Sequence, residues 1–538
     1  MALARTVCPP GRAVRRGALL ALMLLCCAWP SARAAAANLP AIVQLRTFDI
    51  NEYRVLGADL LTQVELEGIL GPFLGPGRKL SDVEDARAAL EKVYADKGYQ
   101  AVTVAIPPQT VKGGVVTLQV TEGKIDRLRV KGARYFLPSE IKRQAPSLAE
   151  GKVPNLDAMV KDIVAMNQLP DRRVTPVLRA GAVPGTVEVD LDVKDELPLH
   201  GSLEVNNRHS PGTTATRVNG SVHYDNLWQQ GHSLSLAFQL APQRLKDGEV
   251  FSASYLARFP DAPWLSLGLN GLLQQSDVST LGGIAVSGRG QVFGARANFT
   301  LPGNAGFFHS VSAGVDYKRF QEAVTFGTDS QRNPIEYWPA TAQYTASALS
   351  GSSHTDLSAS AVANIRALSS STARFDNKRN GASANFTYFR GSAEHTQDLP
   401  LRLQGYVKGQ GQYTADPLVG SEQFTVGGAE TVRGYLEAQA AGDYGVAATA
   451  ELRSPALQVG EALENWRLHL FVDFGRVRVR EAPPGQTALF HLLSLGGGTR
   501  LKLLHHLAGT VEIGLPLTSI GTTRAHHPRL LFQVAGDF

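Results

Sequence analysis

The sequence predicts a transmembrane β-barrel of about 16 antiparallel strands, preceded by two α+β domains. Three observations support this fold class. The N-terminus has the pattern of an export signal. The next part of the chain mixes helical and strand periodicities, and the part after Leu199 consists of short segments that alternate between apolar and polar residues. Together these features indicate an exported protein whose larger, C-terminal part lies in a membrane.

We interpret residues 1–34 as a cleavable signal peptide. Several arginines precede the apolar stretch Gly17–Trp29, and small residues follow at the positions that signal peptidase requires. We therefore expect cleavage between Ala34 and Ala35. The apolar stretch is shorter than the roughly 20 residues that a membrane-spanning helix needs, so an anchoring helix is disfavoured. The protein is expected to leave the cytoplasm.

Charge and cysteine content exclude several classes of function. The chain has 53 Lys and Arg residues against 48 Asp and Glu, but five of the arginines lie in residues 1–34. The remainder is formally neutral, which argues against binding to nucleic acid. All three cysteines, Cys8, Cys26 and Cys27, also lie in the leader. The mature chain is therefore expected to contain no disulfide, no thiolate metal site and no thiol nucleophile.

The region after the leader carries two copies of one pattern. After a short segment, 35–44, the first copy contains a helix over Ser81–Tyr94, for which Ser81 is a plausible N-cap. Strand patterns follow it, and a second round of strand, two helices and two strands comes next. We predict two domains, 45–122 and 123–197, each with the order β-α-α-β-β.

The region 199–538 has the pattern of barrel strands. Ser233–Leu240 alternates apolar residues with Ser, Ala and Gln, and Leu468–Phe474 alternates apolar residues with charged or polar ones, among them Asp473. Alternation fits either a soluble sandwich with an inward apolar face or a membrane barrel with an outward one. The many charges on the polar face and the export signal favour the barrel. No stretch approaches 18 consecutive apolar residues, which excludes a helical membrane protein.

The C-terminal strand has the pattern of a barrel-assembly signal. Phe532 and Val534 alternate with other residues, and the chain ends on the aromatic Phe538. This ending resembles the sorting strand of bacterial outer-membrane proteins. The resemblance implies outer-membrane lipid as the surroundings and the barrel-assembly machinery as a partner during biogenesis. An even number of strands returns the C-terminus to the side of the N-terminal domains, which is the periplasm.

The order of motifs along the chain resembles the haemolysin-activator family of two-partner secretion transporters. The residues that carry the resemblance in the N-terminal region are Tyr94, Gly98-Tyr99, Ile106–Gln109, Gly113-Gly114, Glu122-Gly123, Thr175–Leu178, Pro184–Val193, Leu199–Leu203 and Asn206-Asn207. The resemblance implies two periplasmic polypeptide-transport-associated (POTRA) domains before an outer-membrane pore. It also implies a client, a secreted exoprotein with an N-terminal secretion domain, which the pore recognises unfolded and moves to the surface or medium.

Two barrel motifs resemble the family's functional signatures. Val426–Tyr435 resembles the tip of the sixth extracellular loop, here about residues 414–442, and Phe471–Gly475 resembles a barrel-wall motif with an inward aspartate. The resemblance implies that the loop folds into the lumen and that Arg433 pairs with Asp473, since a guanidinium can hold a carboxylate with two parallel hydrogen bonds. The other motif positions are Gly427, Gly428, Thr431, Val432, Gly434 and Tyr435 in the loop, and Phe471 and Gly475 on the wall.

The sequence leaves alternatives to the transporter open. An insertase of the same barrel-assembly superfamily has related domains, although such proteins often carry more POTRA domains. A diffusion porin explains the barrel but not residues 45–197. Some family members carry a plug helix at the N-terminus; only 35–46 precede the first predicted strand here, so we expect the sixth loop to be the main occupant of the pore.

We expect no enzyme, no metal, no cofactor and no nucleotide. Gly71–Lys79 has the wrong spacing for a phosphate-binding loop, and its prolines lack the amides that would bind phosphate. The adjacent pairs His505-His506 and His526-His527 would project to opposite faces of a strand, which makes them poor metal sites.

Overall fold

The computed structural model describes residues 47–279, 286–321, 323–326, 329–332, 334–459 and 463–538. The expected signal peptide, its cleavage point and the segment 35–44 lie outside these residues. Among the described residues, no helix is both long enough and apolar enough to cross a bilayer. The described chain forms two small α+β domains followed by one closed β-barrel.

The first domain packs two helices against a small mixed sheet. Its elements are β1 (Phe48–Ile50), β2 (Glu52–Leu56), α1 (Gln63–Leu70), β3 (Gly75–Arg78), α2 (Leu80–Asp96), β4 (Val102–Ala105) and β5 (Val115–Glu122). The sheet has the order β2-β5-β4, with β2 and β5 parallel, and β1 pairs with β3 beside it. The helical spacing of α2 buries Leu90 and Tyr94 against Leu118 of β5.

The start of α2 corrects one expectation. The helix begins at Leu80 and not after Ser81, so the proposed Ser81 N-cap is wrong. The carboxylate of Asp82 reaches back to accept a hydrogen bond of 2.7 Å from the Lys79 backbone amide. A side chain at the third helical position thus satisfies a donor that the helix start leaves unpaired, and no serine cap is needed.

The second domain has the order β-α-α-β-β. Its elements are β6 (Lys124–Lys131), α3 (Pro138–Arg143), α4 (Leu156–Met166), β7 (Arg172–Ala180) and β8 (Thr186–Asp195). The sheet order is β6-β8-β7, so β6 and β7 are its edges. Both N-terminal domains have the predicted α+β character.

Most of the remaining strands form a closed antiparallel barrel, which has sixteen long strands among the described residues. The elements are β9 (Leu199–Asn206), β10 (Arg217–Leu227), β11 (His232–Leu240), β12 (Glu249–Arg258), β13 (Leu265–Ser279), β14 (Val286–Thr300), β15 (Phe307–Gln321), β16 (Ala323–Phe326), β17 (Asp329–Arg332), β18 (Ile335–Tyr337), β19 (Pro339–Ser350), β20 (Ser353–Asn364), α5 (Thr372–Lys378), β21 (Thr387–Asp398), β22 (Gln404–Thr414), β23 (Phe424–Val426), β24 (Ala440–Gly442), β25 (Tyr444–Arg453), β26 (Leu457–Val459), β27 (Leu463–Arg478), β28 (Leu489–Leu503), β29 (Leu507–Pro516) and β30 (Arg529–Asp537). The short β18 and β26 extend the barrel sheet, while β16, β17, β23 and β24 pair outside it. The predicted fold class is confirmed.

Side chains alternate across the barrel wall as the sequence pattern requires. On β27, Leu470 and Val472 are exposed on the outer face, whereas His469, Phe471 and Asp473 are buried on the lumen side. Because successive residues of a strand face opposite sides, this one register gives the barrel an apolar exterior for lipid and a polar interior.

The first and last strands close the barrel. β30 pairs with β9, and the last residue, Phe538, exchanges backbone hydrogen bonds with Gly201. Val534 and Phe538 are exposed on the outer face, and the backbone amide of Phe532 donates to Asn207. Both ends of the barrel chain therefore lie beside the second domain, and the segment between β22 and β25 starts from the opposite end.

Candidate functional site

Residues 415–443, which join the eleventh and twelfth long strands, carry the candidate site; we call them loop 6. The loop's tip turns into the lumen, where Arg433 is only 3% exposed. Its partners are inward-facing residues of β25, β27 and β29. A loop that starts at the end of the barrel far from the N-terminal domains thus reaches the inner wall.

Arg433 and Asp473 form a bidentate pair. The Nε of Arg433 donates to Oδ2 of Asp473, and Nη2 donates to Oδ1, both at 2.8 Å. The backbone amide of Arg433 adds a third hydrogen bond of 3.0 Å to the same carboxylate. This geometry fixes the direction of the guanidinium as well as its position. The structure therefore brings the two sequence-predicted residues together.

Two further carboxylates, which no local sequence pattern identifies, complete the surroundings of Arg433. Nη1 of Arg433 lies 2.6 Å from Glu451 of β25 and 3.3 Å from Glu512 of β29. Arg500 of β28 donates to both glutamates, and His469 lies 2.8 Å from Glu512. The site is a network of opposite charges and not a single ion pair.

The aromatic ring of Phe471 packs against the guanidinium group of Arg433. The Cζ atom of Arg433 lies 3.5 Å from the ring centroid, which places the cation over the electron-rich face. Gly496 on the neighbouring strand makes room for this ring, because a Cβ there would lie 2.5 Å from Cζ of Phe471. The aromatic position of the wall motif thus has a specific contact with the loop arginine.

Burial decides the electrostatics of this site. Burial alone would lower the pKa of the Arg433 guanidinium, but the hydrogen bond and charge of Asp473, with the charges of Glu512 and Glu451, raise it overall. The arginine therefore stays charged. Removing one member of such a buried pair leaves an uncompensated charge, which costs about 3–5 kcal/mol.

Glycines allow the tip to take its shape. Gly427, Gly428 and Gly434 have positive φ angles of 108°, 99° and 92°, which side chains disfavour. Gly434 also packs directly on Gly514 of β29, where a Cβ would lie 2.5 Å from the Gly434 amide nitrogen. The loop backbone and the wall backbone meet because both positions lack a side chain. The hydroxyl of Thr431 accepts a hydrogen bond of 2.8 Å from Gly427, which closes the turn.

The other motif residues pack the tip against the wall. Val432 and Tyr435 are fully buried in a small apolar cluster. Gly475 of β27 leaves the space for Val432, since a Cβ there would lie 2.8 Å from its Cγ2. The Tyr435 hydroxyl lies 2.7 Å from that of Thr518 and accepts from the Thr518 amide at 3.1 Å. All eight other predicted motif positions therefore lie at or beside the Arg433 site.

The base of loop 6 has a second buried cluster that sequence reasoning missed. Glu422 is 1% exposed, and its carboxylate accepts hydrogen bonds from Lys318 at 2.7 Å, Tyr337 at 2.6 Å and Tyr388 at 2.7 Å. These partners belong to β15, β18 and β21. The lysine lies 104 positions away in sequence, so no local spacing could reveal the contact.

The end of the loop is held in a similar way. Asp443 is fully buried and forms a bidentate pair with Arg379, which follows α5 in the connection between β20 and β21. The same carboxylate accepts from the amides of Leu418 and Arg480 at 2.8 and 2.6 Å. The two ends of loop 6 and the neighbouring connections are thus tied together.

The Arg433 site does not offer a free metal position. Glu451, His469 and Glu512 each offer a ligand atom within 4.8 Å of the others. Arg433 and Arg500 already bond to both carboxylates and supply the positive charge that a cation would bring. The arrangement can therefore hold a loop in place, but it lacks a vacant coordination position.

Comparisons with known proteins agree with this architecture. Residues 185–501 match the family model described as haemolysin secretion/activation protein ShlB/FhaC/HecB, and residues 48–123 match the ShlB-type POTRA domain. The outer membrane transporter CdiB of Dickeya dadantii is 24% identical over 470 residues, which cover 80% of this chain and 76% of that protein. The heme/hemopexin transporter protein HuxB of Haemophilus influenzae is 22% identical over 476 residues, 84% of this chain and 80% of that protein.

A solved structure shows the same fold. CdiB from Escherichia coli superimposes with a TM-score of 0.64 at 19% sequence identity, covering 93% of this chain and 92% of that one. At this identity the likeness concerns the fold.

Proposed function

The chain belongs to the haemolysin secretion/activation family ShlB/FhaC/HecB. On this basis we propose that it translocates one dedicated client protein through its barrel pore, and that loop 6 occupies this pore. The chain is an outer-membrane transporter that translocates an exoprotein partner, and its POTRA domains lie in the periplasm. The client is a secreted protein with an N-terminal secretion domain, recognised before it folds.

The observation that carries this proposal is the burial of Arg433 among Asp473, Glu451 and Glu512. Burying such a network costs free energy, because charges withdrawn from water lose their hydration. A surface loop would not need it. It makes physical sense where a loop must remain at a defined depth inside a wide, wet pore. We assign it the role of fixing the tip of loop 6 while the lumen opens for the client.

The POTRA domains supply the recognition step. β6 and β7 are the edges of the second sheet, and β2 and β4 are the edges of the main sheet of the first domain, among the residues that the structure describes. A sheet edge can accept an extended chain as an added strand through backbone hydrogen bonds that depend little on sequence. This mode suits a client that arrives unfolded.

The direction of transport needs no nucleotide in this scheme. A client that folds outside the cell cannot pass back through the pore, so folding itself biases its movement outward. The barrel provides the pore. The free energy for outward movement comes from burial of the client's own apolar surface as it folds.

The proposal is tested by complementing a deletion strain with the wild-type chain, Arg433→Ala and Asp473→Ala. Arg476→Ala, an exposed arginine on the same strand as Asp473, serves as the matched control. Quantitative proteomics then compares the supernatant plus surface fraction with the outer membrane. We expect one large exported protein to be lost in the deletion, restored by the wild type and the control, and not restored by either site variant.

Two results would overturn the proposal in different ways. A general fall of other outer-membrane barrels in the deletion strain would indicate an insertase. Normal export by both site variants would remove the role given to the buried pair. Bilayer conductance after deletion of Gly427–Tyr435 separates the porin alternative, because a simple porin would keep its main activity without the loop tip.

A further inference from the structure

A second polar cluster lies where the second POTRA domain meets the barrel. His200 of β9 and His223 of β10 are direct cross-strand partners, and their ring centroids lie 5.0 Å apart. Asp225 follows on the same face of β10, with Oδ2 3.2 Å from Nε2 of His223. Asp171, from the connection between α4 and β7, reaches His200 from the POTRA domain at 2.7 Å.

The strand register brings these side chains together. Leu203 of β9 is exposed on the outer face, so His200, an odd number of positions away, faces the lumen. The antiparallel pairing of β9 with β10 then sets His223 opposite His200. The two histidines lie on neighbouring strands and meet only through the pairing of those strands, so no local spacing in the sequence reveals the cluster.

The ligand atoms of the cluster converge. His200, His223 and Asp225 each offer one ligand atom, and the three atoms lie within 4.8 Å of one another. Around a tetrahedral ion with bonds of about 2.0–2.1 Å, ligand atoms lie roughly 3.4 Å apart, so the side chains would rotate inward on binding. Two imidazoles with one carboxylate favour Zn²⁺ and its transition-metal neighbours over Ca²⁺ or Mg²⁺, which prefer oxygen ligands alone.

One carboxylate oxygen beside the cluster lacks a hydrogen-bond partner. The Asp171 side chain is 6% exposed, and its Oδ2 has no hydrogen-bond partner. Within the described ranges, neither Asp171 nor Asp225 pairs with a lysine or arginine. A buried carboxylate with an unsatisfied oxygen is costly, and a cation bound beyond His200 would offset part of its charge.

The Arg433 site provides an internal comparison. It also gathers a histidine and two carboxylates within 4.8 Å, but Arg433 and Arg500 neutralise them. The cluster at the junction has the same kind of ligands, and among the described residues no arginine pairs with its carboxylates. At the Arg433 site guanidinium groups balance the carboxylates, and at the junction a metal ion could do so.

We propose that His200, His223 and Asp225 bind one divalent transition-metal ion of the Zn²⁺ class, with Asp171 as the carboxylate that positions His200. A histidine that ligates a metal commonly has its other contact with a carboxylate, which fixes the ring. The ion would join β9 to β10 and, through Asp171, the second POTRA domain to the barrel mouth. It would thereby hold the domain at one angle to the pore, a role separate from loop 6.

The test uses the full mature chain, purified in detergent micelles without a polyhistidine tag and stripped with a chelator. Isothermal titration with Zn²⁺ and the visible absorption of bound Co²⁺ report stoichiometry and ligand geometry. We expect one equivalent of metal with a tetrahedral Co²⁺ spectrum, and loss of at least roughly tenfold in affinity for His223→Ala and Asp225→Asn. Asp171→Asn should weaken binding while keeping the one-to-one stoichiometry. Binding should also weaken on acidification, because metal displaces protons from imidazole.

The matched control is His506→Ala, an exposed histidine in the turn between β28 and β29 at the same end of the barrel. We expect this variant to bind like the wild type. Retention of the heat-resistant folded form on gels verifies that every variant is a closed barrel. No stoichiometric binding by the wild type would overturn the proposal. So would binding that survives in folded His223→Ala and Asp225→Asn.

Discussion

Loop 6 is held at its tip and at its base by clusters of opposite design. At the tip, the loop supplies the cation, Arg433, and the wall supplies the carboxylates. At the base, the loop supplies the carboxylate, Glu422, and the wall supplies Lys318 and two tyrosine hydroxyls. The tip binds β25, β27 and β29, whereas the base binds β15, β18 and β21, a different sector of the barrel.

The difference teaches that the two clusters respond differently to loss of one group. The tip concentrates several full charges, so removing one leaves the others unbalanced in a buried position. The base shares one carboxylate among a lysine and two neutral donors, so part of its bonding survives a change of charge. We therefore expect the tip to control whether the loop stays in the lumen and the base to adjust where it enters.

The largest effect is expected for Arg433→Ala. Three buried carboxylates lose their shared cation, and the docked tip should lose about 3–5 kcal/mol relative to the released one. Limited proteolysis of loop 6 on intact cells should then cut rapidly inside residues 415–443. Arg433→Lys, which keeps the charge but not the bidentate geometry, should be cut at an intermediate rate. Equal resistance of wild type and Arg433→Ala would contradict this account.

A smaller effect is expected for Glu422→Gln. The amide oxygen can still accept from Tyr337 and Tyr388, but Lys318 loses its counter-charge, for a cost of about 1.5–3 kcal/mol. Single-channel recordings should show more frequent conductance steps, while the tip remains protected from protease. Loss of tip protection in Glu422→Gln would mean that the two clusters act as one unit.

Backbone contact between loop and wall gives a third prediction. Gly514→Ala would place a Cβ 2.5 Å from the Gly434 nitrogen, and the resulting overpacking should cost about 1–3 kcal/mol of tip docking. Gly409→Ala on β22 is the matched control, because a Cβ there meets nothing within 4 Å. Proteolysis should accelerate in the first variant and stay unchanged in the second. Identical rates would argue against direct contact between the two backbones.

The smallest effect is expected for Phe471→Leu. The change removes the aromatic face under Arg433 but retains apolar volume, so tip docking should weaken by about 0.5–2 kcal/mol. Phe474→Leu, which alters the outer face of the same strand, is the control. Equal effects of the two substitutions on the rate of proteolysis would argue against a specific contact between Arg433 and the ring of Phe471.

The sequence predicts the tip better than the base for a physical reason. Strand alternation has a period of two, so one correctly assigned strand places Asp473 in the lumen without knowledge of its neighbours. The resemblance to a known family supplied Arg433 as its partner. Glu451 and Glu512 were missed because their convergence depends on which strands are adjacent and in which register.

The base of loop 6 and the cluster at the POTRA–barrel junction are even less predictable from sequence. Glu422 meets side chains from three barrel elements, and His200 meets His223 only through the pairing of β9 with β10. Local patterns carry no information on such contacts. The wrong prediction of an N-cap at Ser81 has a local cause. The Lys79 backbone amide donates to the Asp82 carboxylate, and this hydrogen bond sets the start of the helix one residue before Ser81.

The most direct test of the central claim measures whether Asp473 keeps the loop tip docked. All three cysteines lie in residues 1–34, so Val432→Cys introduces a single thiol after the leader, at a position that is fully buried in the docked loop. We predict slow labelling of this thiol by a water-soluble maleimide. When Asp473→Asn is added, labelling should accelerate by more than roughly tenfold, because each 1.4 kcal/mol lost from docking raises the open population tenfold. Equally slow labelling in both backgrounds would contradict the account.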